Sequence, residues 1–501
     1  MKLYINCTVY ASFRPLRRCR GLLVEGPYVR DLVGPSDAQR PPVLHGLEVI
    51  DLGGRVVMPG FIDAHAHLDG VGTALSCLNL RGLTSIQELG EALAAHKGLS
   101  GGWILGVGWD HEKFRERRMP TRWDLDGYVA EKPVLLVRVD GHSGVVNTRA
   151  LELLALERLE EGVERDPGGS PTGVIKERAL DFARERALED RTLEEEKEVL
   201  LKAQAEFLRH GVTGIGFVSC GPRSLEALRA LRREGRLKLR ISAYLTPQAF
   251  DALGMADDDE LLSVKGVKLF ADGSFGSRTA LLSSPYADDP GNFGLGVSSK
   301  EELIEYCLRA RAKGLQAAIH AIGDRALDVV LEVYERCGAR GQRIEHASLI
   351  RDDQYERIRR VGALLVVQPH FTVSDFWMER RLGPERARSV YPFARILREG
   401  LEQAFSTDAP VEPIDPWETV HAALKRGALA ELTADQGLSL NEALYLYTEA
   451  AAKAIGRQDL GSLLPGKRAD FIVLDRDPFE GELRGIKALK AYVGGEAVHE
   501  L

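Results

Sequence analysis

Short apolar runs typical of buried strands alternate with amphipathic helical patterns through most of the chain after residue 192. This alternation is typical of βαβ units that close a parallel sheet. The clearest helix is predicted from Thr192 to His210, because Thr192 and Glu195 form a capping box and Gly211 follows as a stop. Strands are predicted at VTGIGFVS directly after that helix, and at 239–246, 266–271, 315–321, 343–348, 364–369 and 402–408.

An eighth strand, FIDAHAH at 61–67, completes the number that a (β/α)8 TIM barrel needs. A further apolar run at 133–146 is assigned to an insertion, about 70–190, between the first and second barrel strands, since such a length implies a subdomain. Short β segments separated by glycines at both termini predict a small β-sandwich domain. The predicted domains are therefore a β-sandwich from 1–57 and 466–501, and a barrel domain over 58–465 that contains the insertion.

Composition limits the partners that this chain can have. With 501 residues, of which 44% are hydrophobic and 28% charged, it is predicted to be a soluble globular protein with more than one domain. The net charge of -8 comes from interleaved acids and bases, so no basic block indicates nucleic acid or an anionic membrane surface. No apolar run reaches the roughly 18 residues of a membrane span, and no secretion signal is recognised. We therefore expect a cytoplasmic protein with a small-molecule partner.

Two histidines in the segment PGFIDAHAHL, His65 and His67, are the first candidate metal ligands. Alternate side chains of a β-strand point to the same face, so both imidazoles would aim at one spot. A polar strand end with two solvated histidines is the plainer alternative. The six cysteines are scattered without a C-x-x-C pair, so a metal would need histidine and oxygen ligands.

Three further candidates end predicted strands: His320 in LQAAIH, His346 in RIEH and Asp408 in AFSTD. The carboxyl ends of barrel strands converge on one mouth, so these side chains would meet the histidine pair. Taken singly, each has a plainer explanation as a core histidine or a helix-capping aspartate. Together, four histidines and a carboxylate make a donor set suited to Zn2+ or a similar divalent ion.

Lys268 in GVKLFADG is flanked by Val267 and Leu269 on a predicted buried strand, where a charged lysine is costly. Burial near cations would lower its pKa and favour the free amine. A free amine can react with CO2 to give a carbamate, an anionic ligand with two oxygens. A neutral or snorkelling structural lysine is the alternative.

Two weaker candidates concern the substrate. His142 in DGHSGVVN belongs to the predicted insertion and could contact the substrate, although a structural hydrogen-bonding role is as reasonable. Arg278 in GSFGSRTA could meet a substrate carboxylate, and a surface arginine tied to a loop is the plainer interpretation.

The sequence resembles the amidohydrolase superfamily, and most closely its branch of YtcJ-like and N-substituted formamide deformylase-like hydrolases, the amidohydrolase 3 group. The resemblance covers nearly the whole chain. It rests on the segments MPGFIDAHAHLDG, GWDHEKF, RVDGHSGVVNTRAL, GGSPTGVIKERA, GVKLFADGSFGSRTALL, AIHAIGDRALD, RIEHASL, FSTDAPVEPIDPW and GSLLPGKRADFIVLDRDP.

The resemblance implies a ligand set and a reaction. The implied ligands are His65, His67, His320, His346 and Asp408, with carbamylated Lys268 as a bridge between two divalent ions, usually Zn2+. Lys265 lies outside the matching frame. The implied reaction is hydrolysis of a carbon–nitrogen bond other than a peptide bond, in an amide, N-acyl or N-formyl compound, by metal-activated water. Asp408 would move the proton. A homodimer is also in keeping with the resemblance.

Two alternative functions stay open on sequence grounds. A mononuclear member of the same superfamily could deaminate a ring substrate, but such enzymes commonly lack the bridging lysine that Lys268 matches. A non-catalytic scaffold would tend to lose ligands, whereas every matching position is occupied here.

Overall fold

The computed structural model describes residues 1–34, 46–96, 102–156, 161–254, 257–338 and 340–501. The chain divides into two compact units, one formed by Met1–Leu68 with Gln204–Leu501 and the other by Asp69–Ala203. The first unit contains two eight-stranded sheets, and the second contains a six-stranded sheet. Across these described ranges, no helix has the length and apolar character needed to cross a membrane.

Eight parallel strands of the first unit lie side by side in chain order, which confirms the predicted TIM barrel. Their bounds are Phe61–Ala66, Val212–Cys220, Arg240–Leu245, Leu262–Phe270, Gln316–Ala321, Arg343–His346, Leu364–Val367 and Glu402–Phe405; we number them as barrel strands one to eight. The sixth strand ends earlier than predicted because His346 and Ala347 have φ angles of 73° and 44°. Asp408, predicted to end the eighth strand, likewise lies beyond it with a φ of 63°. Such angles cannot continue a strand.

The first and eighth strands meet through residues at their carboxyl ends. The amide of Asp408 donates to the carbonyl of His65 at 2.9 Å, and the amide of His67 donates to the carbonyl of Ala409 at 2.8 Å. Buried Asp63 accepts the amide of Thr407 at 3.1 Å and its hydroxyl at 2.5 Å. The backbone bonds that join the two strands therefore belong to residues predicted to bind metal.

Helices of the first unit follow the barrel strands, as a βα repeat requires. The α-helices are Pro222–Arg233, Pro247–Asp251, Lys300–Ala312, Asp324–Cys337, Gln354–Val361, Phe371–Ser374, Met378–Leu382, Pro384–Ala387, Phe393–Arg398, Pro416–Lys425, Leu440–Leu446 and Glu449–Ala454, and the 3-10 helices are Gly427–Leu429 and Ala434–Gln436. The helix Leu193–Arg209 precedes the second strand. Its predicted capping box is present, since Thr192 Oγ accepts the amide of Glu195 at 3.2 Å and Glu195 accepts the amide of Thr192 at 2.8 Å.

Both chain termini contribute to a second sheet of the first unit, as predicted. Its strands are Lys2–Phe13, Leu16–Cys19, Gly21–Glu25, Tyr28–Val33, Glu48–Pro59, Phe471–Leu474, Ala488–Val493 and Glu496–Glu500. Strands from the two ends pair directly, because Glu48–Pro59 is antiparallel to Phe471–Leu474. An aromatic group of Tyr4, Phe471 and Tyr492 is buried at its centre, with the rings of Phe471 and Tyr492 stacked at 4.3 Å.

The second unit is built on the sheet that contains the apolar run at 133–146. That run forms two antiparallel strands, Val134–Arg138 and Ser143–Val146. The other strands are Leu78–Asn79, Ile104–Trp109, Val163–Arg165 and Pro171–Lys176, and the helices are Leu68–Ser76, Ile86–Ala95, His111–Lys113 (3-10), Arg122–Asp126, Thr148–Leu154 and Arg178–Glu189. Leu135 and Val137 pack in one buried cluster and Val134 and Leu136 in another. The strand positions 134–137 are all apolar because both faces of their sheet are covered.

A buried ion pair between Arg240 and Asp470 joins the third barrel strand to the terminal sheet. Asp470 accepts Nε and Nη2 of Arg240 at 2.5 and 2.9 Å, and both side chains are almost fully buried. We expect Asp470→Asn to lower the free energy of unfolding by about 3 kcal/mol, because the Arg240 charge stays buried without its partner. Chemical denaturation measures this. The control Glu402→Gln removes the exposed partner of Lys453 and should cost less than about 1 kcal/mol; equal effects would contradict the prediction.

Candidate metal centre

The predicted ligands gather at the carboxyl end of the barrel. Donor atoms of His65, His67 and Asp408 all lie within 4.8 Å of one another. Asp408 Oδ1 is 3.2 Å from His65 Nε2 and 3.1 Å from His67 Nε2. The ring of His346 continues the cluster, with its centroid 5.0 Å from that of His65 and 4.4 Å from that of His320. Side chains from the first, fifth and sixth strands and from the end of the eighth therefore share one site.

His65 is held by a buried carboxylate on the sixth strand. Its Nδ1 makes a short hydrogen bond to Glu345 Oε2, and because a carboxylate only accepts, Nδ1 carries the proton. Glu345 in turn accepts Nε and Nη2 of Arg343 at 2.8 and 2.9 Å, and Arg343 donates to the carbonyl of Ala64 at 2.8 Å. This arrangement fixes the ring orientation and leaves Nε2 of His65 facing Asp408.

The other two buried histidines are oriented in the same manner. His346 Nδ1 donates to Gln368 Oε1 at 2.8 Å, which leaves Nε2 as the free acceptor. His320 Nε2 donates to the carbonyl of Gly273 at 2.9 Å, which leaves Nδ1 free. Burial lowers the pKa of His346 to about 3 and the pKa of His320 well below its usual value. Both rings are thus neutral and have a lone pair to offer a cation.

Lys268 lies on the fourth strand and is 1% exposed. Its Nζ has no hydrogen-bond partner among the described residues, and it lies 4.6 Å from the centroid of the Phe270 ring. Burial lowers the pKa of Lys268 to about 8, although the negative charges of Glu345 and Asp408 act to raise it. Lys265, three residues earlier, instead pairs with Asp258 at 3.0 Å. Lys268 therefore interacts electrostatically with members of the candidate site, whereas Lys265 has its partner in Asp258.

Asp408 stays ionised at this site. Burial alone would raise its pKa, but the charge of His65 and the hydrogen bonds from His65 and His67 hold the pKa well below its usual value. Its left-handed backbone, with a φ of 63°, is kept by the hydrogen bond from its amide to the first strand. Such a conformation costs energy in a non-glycine residue and is found mainly where the surrounding structure enforces it.

The donor set fits a divalent cation. Nδ1 of His65 donates to Glu345, so His65 can bond to Asp408 through Nε2 only when Nε2 carries a second proton, and a divalent cation could take the place of that proton. Neutral imidazoles and carboxylates are the ligands that Zn2+ and related ions take. The unpartnered Nζ of Lys268 is a buried polar atom that the protein alone does not satisfy. These residues could therefore hold one or two ions.

The two predicted substrate contacts have other partners in the structure. Arg278 donates to both carboxylate oxygens of Asp288, at 3.2 and 3.0 Å, so an ion pair within its own loop accounts for it. His142 belongs to the second unit, is 71% exposed, and lies 3.4 Å from Glu177. Roles for Arg278 and His142 toward a substrate stay predictions.

Sequence reasoning missed the residues that orient the ligands, namely Glu345, Arg343, Gln368 and Asp63. Two of them could have been found in the segment RIEH. Arg343 and Glu345 are two residues apart on a predicted strand, so their side chains share one face. Asp63 and His65 are likewise two residues apart and share one face of the first strand. Two charges at period two in a buried strand indicate a charge pair inside the barrel.

Replacement of Glu345 by glutamine tests its role toward His65. We expect divalent-metal affinity to fall about 10- to 100-fold, because the ring loses the carboxylate that fixes its Nδ1 proton. Competition with a metal chelator gives the affinity, and circular dichroism checks the fold. The control Glu332→Gln alters an ion pair with Lys300 on the helix surface and should leave affinity unchanged. Unaltered metal binding by folded Glu345→Gln protein would contradict this assignment.

Comparison with known proteins adds independent information. A model of the amidohydrolase family matches residues 48–499. The Bacillus subtilis protein YtcJ, which is named as an amidohydrolase, is 32% identical over 511 residues, which cover 95% of this chain and 96% of the relative. The N-substituted formamide deformylase of Arthrobacter pascens is 29% identical, covering 96% of this chain and 95% of the relative.

A solved structure agrees with the fold over the same length. The crystal structure of an uncharacterized metal-dependent hydrolase from Pyrococcus horikoshii OT3 has 42% sequence identity and a TM-score of 0.87. The match covers 97% of this chain and 99% of that chain.

Proposed function

The chain belongs to the amidohydrolase family, and from this premise we propose that it hydrolyses a non-peptide carbon–nitrogen bond of a small amide, N-acyl or N-formyl compound. The observation that carries the proposal is the meeting of His65, His67 and Asp408 beside two oriented neutral histidines and a buried lysine without a partner. Such a set is suited to activating water and has no evident structural purpose, since its members are costly to bury.

The proposed ligands divide into two groups around the carboxylate of Asp408. His65 and His67 contact its Oδ1, and His320 and His346 form the neighbouring pair. We assign two divalent ions, most commonly Zn2+, to these groups. When bound, such ions lower the pKa of water toward neutrality and polarise the carbonyl that it attacks.

Asp408 is the proposed proton carrier. Its carboxylate, which His65 and His67 contact, is ionised at neutral pH and can accept a proton from the attacking water. The same carboxylate would then give that proton to the departing nitrogen, which must be protonated to leave. Glu345 keeps His65 in place through these steps and exchanges no proton with the substrate.

Lys268 is the proposed bridging residue. Its neutral Nζ would add to the carbon of CO2 and lose one proton to solvent, which gives a carbamate whose single negative charge is shared by two oxygens. That product supplies the charge that two cations need, and it converts a buried atom with no partner into a satisfied ligand. Carbamylation would thus explain why a lysine occupies this position.

A substrate panel tests the reaction class. Metal-reconstituted protein is assayed with N-substituted formamides, N-acyl amino acids, cyclic amides, esters and phosphoesters. We expect turnover of at least one amide or formamide class, in keeping with the name of the relative from Arthrobacter pascens. Activity on phosphoesters alone would contradict the proposal, and release of ammonia from ring substrates alone would favour a deaminase.

A further inference from the structure

Phe270 lies directly above Lys268 on the inner face of the fourth barrel strand. Lys268 and Phe270 are two residues apart on the strand, so their side chains point to the same face. The strand register places Phe270 opposite His320 on the fifth strand. The rings of Phe270 and His320 are in contact, with centroids 5.4 Å apart. Yet Phe270 is 37% exposed. An aromatic ring in contact with a proposed metal ligand therefore faces open space.

A second phenylalanine, Phe371, contacts the other histidine of the pair. Phe371 begins the short helix after the seventh strand, and its ring centroid lies 6.4 Å from that of His346. With the 4.4 Å contact between His320 and His346, four rings follow one another in the order Phe270, His320, His346, Phe371. We call these four residues the aromatic row. Its middle members are proposed ligands, and its outer members are apolar.

Further apolar side chains are exposed in the loops at the same end of the barrel. Phe376, in the loop after the seventh strand, is 72% exposed, and Val411, three residues after Asp408, is 62% exposed. Exposed apolar side chains in the loops at the end of a barrel that carries a polar site indicate a surface that an apolar ligand covers.

Two arginines that could attract an anionic substrate, Arg278 and Arg381, already share a carboxylate partner. Asp288 accepts Arg278 at 3.0 Å and Arg381 at 3.1 Å, so one carboxylate pairs with both guanidinium groups. Contact with the apolar rings of Phe270 and Phe371 favours an uncharged substituent over a carboxylate, because a carboxylate is costly to desolvate.

We propose that Phe270 and Phe371 form the wall of the substrate site and select an uncharged aromatic substituent next to the scissile carbon–nitrogen bond. This inference rests on the proposed function, because it places the reacting bond at the histidines of the aromatic row. An aromatic substituent would cover the exposed face of Phe270 and gain edge or offset contacts with it. Phe270 is a specificity-determining residue in this account.

The first test compares amides that share one scissile bond and differ in one substituent: phenyl, methyl or carboxymethyl. We expect the wild-type protein to prefer the phenyl compound over the other two by at least about tenfold in kcat/KM. Phe270→Ala should reduce this preference about tenfold while the bound metal stays unchanged, since Phe270 is no ligand. The control Phe479→Ala alters a side chain that is 36% exposed and packs on Tyr10 of the terminal sheet, and it should change nothing.

A binding measurement separates this inference from the reaction itself. Phenylacetohydroxamate and acetohydroxamate chelate metal through the same group and differ only in the ring, and calorimetry gives their affinities for metal-loaded protein. We expect about tenfold tighter binding of the phenyl compound by the wild type and near-equal binding by Phe270→Ala.

The outcomes distinguish the two proposals. Equal affinity of the two hydroxamates for the wild type, or a preference for the methyl or carboxymethyl amide, would overturn the aromatic wall while leaving amide hydrolysis intact. Tighter binding of the phenyl hydroxamate without turnover of any amide would support the wall and overturn the proposed function instead.

Discussion

Asp408→Asn protein is expected to lose hydrolysis of its best amide substrate by about 10³- to 10⁴-fold in kcat. Asparagine has the shape of aspartate but cannot take the proton from water or return it to the leaving nitrogen. It also removes the negative charge that His65 and His67 contact at 3.2 and 3.1 Å. Steady-state kinetics give kcat, and elemental analysis of the same preparation shows whether metal is retained.

The control for this substitution is Asp352→Asn, which alters an exposed carboxylate paired with Arg395. It should leave kcat and metal content at the wild-type values. If Asp408→Asn protein kept more than about a tenth of the wild-type kcat, Asp408 would not be the proton carrier.

Lys268→Ala is expected to reduce bound metal from about two ions per chain to one or none. Without the amine the proposed carbamate could not form, so the two proposed ions would lack a shared anionic ligand. Hydrolysis should fall with the metal content, and a short-chain carboxylate such as acetate or propionate should restore part of it by occupying the space of the missing side chain. Elemental analysis and kinetics with and without added carboxylate measure both effects.

The matched control is Lys265→Ala on the same strand, whose side chain pairs with Asp258 away from the site. Wild-type protein exchanged with isotopically labelled bicarbonate should show a labelled carbamate by nuclear magnetic resonance, and Lys268→Ala protein should not. One metal per chain with undiminished activity in Lys268→Ala protein would refute a binuclear site.

The barrel could be predicted because its strands are buried on both faces and read as short apolar runs between amphipathic helices. Positions of candidate ligands follow from the same pattern, since His320 and His346 fall in the last two residues of their strands. The ends of the sixth, seventh and eighth strands were placed two or three residues too late. His346 and Asp408 leave the extended conformation, which periodicity alone does not indicate.

What could not be predicted are the contacts between strands that are distant in sequence. Glu345 orients His65, which is 280 residues away in sequence, and Asp63 holds Thr407, which is 344 residues away. A single sequence does not show which residues of two such distant strands lie side by side. The aromatic row is a similar case, because Phe270 and Phe371 look like core residues until burial is known.

The most direct test of the central claim, that this chain is a metal-dependent hydrolase acting through the site at His65, His67 and Asp408, is metal titration of chelator-treated wild-type protein. We expect the stripped protein to hydrolyse no amide and to regain activity in proportion to added divalent ion, up to about two ions per chain. Undiminished amide hydrolysis by protein that retains no divalent ion, or failure to bind any such ion, would contradict the account.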